Sequence, residues 1–210
     1  MSRDLGFAHR YAPPKGDDPT TLLLLHGTGG NENDLLPLGR MLDERAGILS
    51  PRGKVLENGM PRFFRRLAEG VFDHEDLVNR THELAKFVDQ AVEEHDLDPG
   101  RLFAVGFSNG ANIAASLLLL HPELLAGAVL LRAMVPFEPE TPPDLSGTPV
   151  YLAAGRADQI VPPENTERLA QLLLEAGAEV TLDWQPGGHG IGRAEIEGAR
   201  HWYAETISKL

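Results

Sequence analysis

Residues 102–120 read LFAVGFSNGANIAASLLLL. The opening run, Leu102 to Gly106, has the apolar character of a strand buried on both faces. The closing run, Asn109 to Leu120, is helix-forming and stops before His121-Pro122. Between them, Gly106-Phe107-Ser108-Asn109-Gly110 fits the pattern G-x-S-x-G, which permits a very sharp turn from strand to helix. The serine at the apex takes a strained backbone, and the flanking glycines leave room for close main-chain contacts. Ser108 is therefore a candidate nucleophile.

Working outward, Thr20 to Leu25 is a second continuous apolar run, stopped by His26-Gly27. Further strands are expected at Gly47–Ser50, 128–132, 150–154 and 180–184. Helices are expected over 34–46, from an N-cap at Asp73 through about His95, over 164–176, and from about Ala194. Leu77, Thr81, Leu84, Val88 and Val92 give the second of these helices one less polar face. Residues 51–71 read as a long irregular loop. Buried strands alternating with helices indicate an α/β fold, a mostly parallel twisted sheet covered on both faces, with ligands beyond the carboxyl ends of its strands. No insertion is long enough for a large lid domain, and the whole of 1–210 reads as one domain.

A serine hydroxyl attacks poorly unless a base takes its proton. Among eight histidines, His189 in Gly187-Gly188-His189-Gly190 stands just after the last expected strand, where a glycine loop brings an imidazole over the serine. The imidazole needs a carboxylate to hold its tautomer. Asp158, in Gly155-Arg156-Ala157-Asp158, directly follows the strand at 150–154. The negative charge formed on attack needs preset donors. The backbone N–H groups of Asn109 and of Thr28, in His26-Gly27-Thr28-Gly29-Gly30, are the candidates. That glycine loop lacks the Lys and Ser/Thr of a phosphate-binding P-loop. His74 and His82 do not have the spacing of metal ligands, so no metal site is expected.

The formal net charge is −12, which repels nucleic-acid phosphate and anionic lipid. The chain has no cysteine, excluding a thiolate nucleophile and disulfides and fitting a reducing cytoplasm. The N-terminal residues 1–6 lack the apolar run of a signal peptide, and the longest apolar stretches are too short to span a bilayer. A cytoplasmic protein without stable membrane association is expected.

With these motifs in hand, the chain resembles the phospholipase/carboxylesterase family of α/β-hydrolases, which includes acyl-protein thioesterases and small bacterial carboxylesterases. The resemblance rests on LLLLHGTGGNENDLLPL at 22–38, SPRG at 50–53, GFSNGANIA at 106–114, GRADQIVP at 155–162 and GGHGI at 187–191. It implies the α/β-hydrolase fold, Ser108 as nucleophile, Asp158 as orienter, His189 as base, Thr28 and Asn109 as oxyanion donors, and no cofactor. A homodimer is a further implication. Acyl-protein thioesterases carry Gln where this chain has Asn109, and HGTGGNE differs from the commoner HG-x-GD; both departures resemble a bacterial subgroup of small hydrolases.

The expected activity is a serine carboxylesterase acting on small, short-acyl esters. A thioesterase or lysophospholipase with the same triad, or a low-turnover small-molecule receptor on the same fold, are the competing readings. The cleft is expected to be shallow, bordered by Met60, Phe63 and Phe64 of the long loop and by Val135, Phe137, Ile160 and Ile191. Arg132, at a strand end, either pairs with an acidic group of the substrate or faces solvent.

Overall fold

A computed structural model describes residues 5–210; the first four residues of the segment read above as lacking a signal sequence lie outside it. In chain order, the first half contains β1 (His9–Ala12), β2 (Thr21–Leu25), α1 (Leu36–Leu42), β3 (Gly47–Pro51), β4 (Val55–Glu57), β5 (Met60–Arg62), β6 (Arg66–Ala68), β7 (Val71–Phe72) and α2 (His74–His95). The second half contains β8 (Leu102–Phe107), α3 (Asn109–Leu120), β9 (Gly127–Leu131), β10 (Pro149–Gly155), α4 (Pro163–Glu175), β11 (Glu179–Gln185) and α5 (Arg193–Ile207).

Seven strands form one sheet in the order β1-β3-β2-β8-β9-β10-β11. All its pairings are parallel except that of β1 with β3 at the edge. Because both faces are covered, strand residues are apolar on both sides and alternate between two cores. Leu23 and Leu25 pack with α2, α3 and α4, while Leu22 and Leu24 pack with α1 and α5. The chain leaves β2 toward β3 on one side and later returns to place β8 on the other. Adjacent strands whose connections depart in opposite directions open a crevice at their carboxyl ends. The loop after β2 carries Thr28 and the turn after β8 carries Ser108, so the crevice lies between them.

Local chemistry explains where the elements start and stop. Asp73 caps α2 by accepting the Asp76 N–H, and Leu77, Thr81, Leu84 and Val88 of its inner face are fully buried. Helix α1 is shorter than the expected 34–46. It ends at Asp43, which adopts extended backbone and accepts the Arg45 N–H at 2.8 Å in a local turn.

Residues 51–71 are not an irregular loop. They contain two hairpins, β4-β5 and β6-β7. Asn58 and Gly59, both at positive φ (52° and 82°), make the two-residue turn that suits a hairpin's twist. Edge strand β1 is also additional to the sequence reading; only four residues long, its burial shows no clean alternation.

Candidate active site

Ser108 sits between β8 and α3 with φ 51° and ψ −115°, a conformation costly for a side chain with a Cβ. The surrounding main chain enforces it. Ser108 N–H donates to the Leu131 carbonyl at 2.9 Å, and its own carbonyl accepts the Asn112 N–H at 2.9 Å. Gly110 has no room for a side chain: a Cβ there would stand 1.9 Å from the Leu25 carbonyl oxygen. A Cβ on Gly106 would stand 2.6 Å from the Gly110 carbonyl oxygen. The glycines of G-x-S-x-G thus allow α3 to begin directly against the ends of β2 and β8.

The structure brings the three sequence candidates together. Ser108 Oγ lies 2.8 Å from His189 Nε2, and His189 Nδ1 lies 2.8 Å from Asp158 Oδ2. Asp158 is buried, and its second oxygen accepts the N–H groups of Ile160 and Val161 at 2.8 and 3.0 Å. Those two bonds fix the carboxylate and leave Oδ2 for the imidazole. A neutral His189 that donates from Nδ1 presents Nε2 as the acceptor for the serine proton.

A cavity of about 320 Å³ opens over the serine. Thr28, Ser108, Asn109 and His189 all line it. Asn109 is the first residue of α3, where helical N–H groups have no partner within the helix and the helix dipole is positive. Its side chain accepts the Phe63 N–H at 2.7 Å, pinning the 51–71 segment to the serine turn. The Asn109 Nδ2 has no partner. The Thr28 loop is held from the same segment: Gly29 N–H donates to the Pro61 carbonyl at 2.9 Å and Arg62 Nη1 donates to Thr28 Oγ1 at 2.6 Å.

Of the seven residues expected to border the cleft, Ile160 alone lines this cavity. Phe63 and Phe64 are instead 2% and 0% exposed and belong to the core, where burying large rings removes the most apolar surface from water. Val135 and Phe137 pack against that same core, and Ile191 packs against the core on the opposite face of the sheet. Met60 is 40% exposed and stands beside Gly29, outside the cavity. In their place the wall is formed by Arg62, Arg66, Glu69, Phe72, Phe107 and Met134, among others. Arg62 ends β5 and Phe63 lies just beyond it; both are buried, and their different surroundings follow from contacts with Thr28 and Asn109 rather than from strand alternation.

Arg132 does not face solvent, and it borders the cavity. It is 2% exposed and makes a bidentate pair with Glu195 at 2.5 and 2.9 Å. Among the described residues, no cluster of three or more His, Cys, Asp or Glu side chains is arranged to hold a metal ion. No helix among them is long and apolar enough to cross a membrane.

Over residues 10–207 the chain matches the phospholipase/carboxylesterase family. It belongs to that family. It is 53% identical over 193 residues to the hydrolase-family protein MhqD of Bacillus subtilis (strain 168), covering 92% of this chain and 96% of the relative. It is also similar to the solved structure of a Bacillus cereus carboxylesterase, at 49% identity and TM-score 0.94, covering 97% of this chain and 96% of the other. Acyl-protein thioesterase 1 of Mycosarcoma maydis is a more distant relative, 27% identical over 77% of this chain and 78% of its own. These relatives support a hydrolase of the carboxylesterase kind on an α/β-hydrolase fold.

Proposed function

We propose that the chain acts as a single-domain, cytoplasmic serine carboxylesterase that hydrolyses small, short-acyl esters through an acyl-enzyme. The observation that carries this reading is the unbroken relay from Asp158 through His189 to Ser108, with both links at 2.8 Å, at the floor of a small cavity.

In the proposed cycle His189 Nε2 takes the Ser108 proton as Oγ attacks the ester carbonyl carbon. Asp158 stabilises the imidazolium and stays ionised. The tetrahedral oxyanion accepts from the N–H groups of Thr28 and Asn109, each contributing about 3–4 kcal/mol by comparison with single-donor deletions in other hydrolases. Collapse expels the alcohol, which leaves with the proton held by His189. Water then enters, loses a proton to His189 and attacks the acyl carbon. The second collapse releases the acid and returns the proton to Ser108. No cofactor takes part in these steps.

Size supports the short-acyl preference. A cavity of about 320 Å³ lies at the small end of ligand pockets, which run from roughly 300 to 1,000 Å³. Its wall also carries Arg62, Arg66 and Glu69, which a long hydrocarbon chain would have to desolvate. A series of 4-nitrophenyl esters is expected to peak in kcat/KM at two to four acyl carbons, taking about four as the limit for so small a site. A maximum at long acyl chains contradicts the size claim. Ser108→Ala is expected to abolish turnover with the fold intact, and normal turnover by that variant contradicts the mechanism.

A further inference from the structure

Arg132 has no part in the relay, yet it touches the supports of all three members. It is the residue after β9 and holds φ 59°, a conformation that a long side chain adopts only when its surroundings dictate it. Its neighbour Leu131 receives the Ser108 N–H, at 2.9 Å. Its own N–H donates at 2.9 Å to the carbonyl of Ala153 in β10, the strand that leads to Asp158. Its side chain then crosses to the histidine loop. Nε donates to the Gly188 carbonyl at 2.9 Å and Nη2 to the Gly190 carbonyl at 3.0 Å, so the guanidinium grips the two residues flanking His189. The remaining face is paired with Glu195 in the first turn of α5, which also accepts the Gly192 N–H at 3.2 Å. Nε lies 3.9 Å from Asp158 Oδ2.

The histidine loop needs such an anchor. Gly187, Gly188, Gly190 and Gly192 give it little stiffness of its own, since glycine has the widest backbone freedom. A side chain 1% exposed and a counter-ion 0% exposed are also an expensive pair to bury unless geometry compensates. We propose that Arg132, backed by Glu195, is a positioning residue that fixes the His189 loop over Ser108 in the proposed esterase. The planar fork suits this task because it reaches two carbonyls and a carboxylate at once, which a lysine ammonium, as a point charge, does not.

This inference rests on the serine-esterase reading, so wild type is measured first; a wild type that neither hydrolyses 4-nitrophenyl acetate nor acylates at Ser108 fails that reading rather than the inference. The test compares kcat and KM for wild type, Arg132→Lys and the double variant Arg132→Met/Glu195→Met. The double variant removes both buried charges together, since deleting one alone would strand the other. At a temperature where circular dichroism shows it fully folded, its kcat is expected to fall about 30-fold or more, as misplaced catalytic groups commonly cost one to two orders of magnitude. KM is expected to stay within about twofold, because Arg132 borders the cavity but its Nε, Nη1 and Nη2 are all engaged by Gly188, Gly190 and Glu195 rather than turned to a ligand. Arg132→Lys, which keeps the pair with Glu195, is expected to recover part of the lost kcat. A folded double variant with wild-type kcat, or a loss confined to KM, overturns the proposal. Should the double variant fail to fold, folded Arg132→Lys decides: a reduced kcat at unchanged KM supports the anchor, and a wild-type kcat overturns it.

Discussion

Arg62 and Thr28, 34 positions apart, meet through a 2.6 Å hydrogen bond from the guanidinium to the threonine hydroxyl. Arg62 is almost fully buried, with Nε donating to the Phe64 carbonyl and an ion pair to Glu57. It therefore braces the loop that presents the Thr28 N–H. Arg62→Gln is expected to lower kcat about tenfold, the effect of a loosened oxyanion donor being smaller than that of a deleted one. Steady-state kinetics on a short-acyl ester checks this; an unchanged kcat in the folded variant removes Arg62 from the account.

The Asn109 side chain is expected to matter for stability apart from its backbone. Replacing it with alanine leaves the buried Phe63 N–H without its acceptor. The expected loss is about 1–3 kcal/mol, the usual cost of one orphaned buried polar group. Urea unfolding of Asn109→Ala measures it. The orphaned Nδ2 of the native side chain is removed by the same change, which holds the loss toward the lower end of that range.

Gly110 gives the sharpest steric prediction. A methyl group there would lie 1.9 Å from the Leu25 carbonyl oxygen, so α3 must shift away from β2. Gly110→Ala is expected to destabilise by about 3 kcal/mol, the upper end of the usual overpacking range, and to remove activity by displacing Ser108. A thermal melt close to wild type contradicts this.

The ion pair of exposed Arg52 with buried Glu32 contributes to acid sensitivity. Arg52 holds Glu32 bidentately at 2.5 and 2.7 Å, and that hydrogen bonding lowers the Glu32 carboxyl from an ordinary 4.5 to about 2. The unfolded chain binds this proton first as pH falls, so the pair's contribution is full above about 4.5 and is lost progressively toward about 2. Arg52→Gln is expected to flatten the decline in stability over that window. Denaturation midpoints between pH 5 and pH 2, taken at low ionic strength with wild type alongside, test the slope.

Much of this arrangement is legible in the sequence because its causes are local. The turn at Ser108 is written in two glycines that clear main-chain contacts, and α2 in an aspartate cap followed by a buried stripe. Asp158 and His189 are placed by their positions at strand ends. The cavity wall is different. Arg62 borders the cavity while Phe63 belongs to the core, and what fixes them are bonds to Thr28 and Asn109, 34 and 46 positions away. Arg132 shows the same limit more strongly. Its role depends on contacts with residues 56 to 63 positions away, which no local pattern encodes.

Activation of Ser108 by His189 is read by a fluorophosphonate probe, which reacts with activated serines. Intact-protein and peptide mass spectrometry of the treated wild type are expected to show one adduct on Ser108, with labelling slowed by at least about a hundredfold in His189→Gln, the low end of general-base contributions. Absence of an adduct on Ser108, or undiminished labelling without the imidazole, would contradict the account.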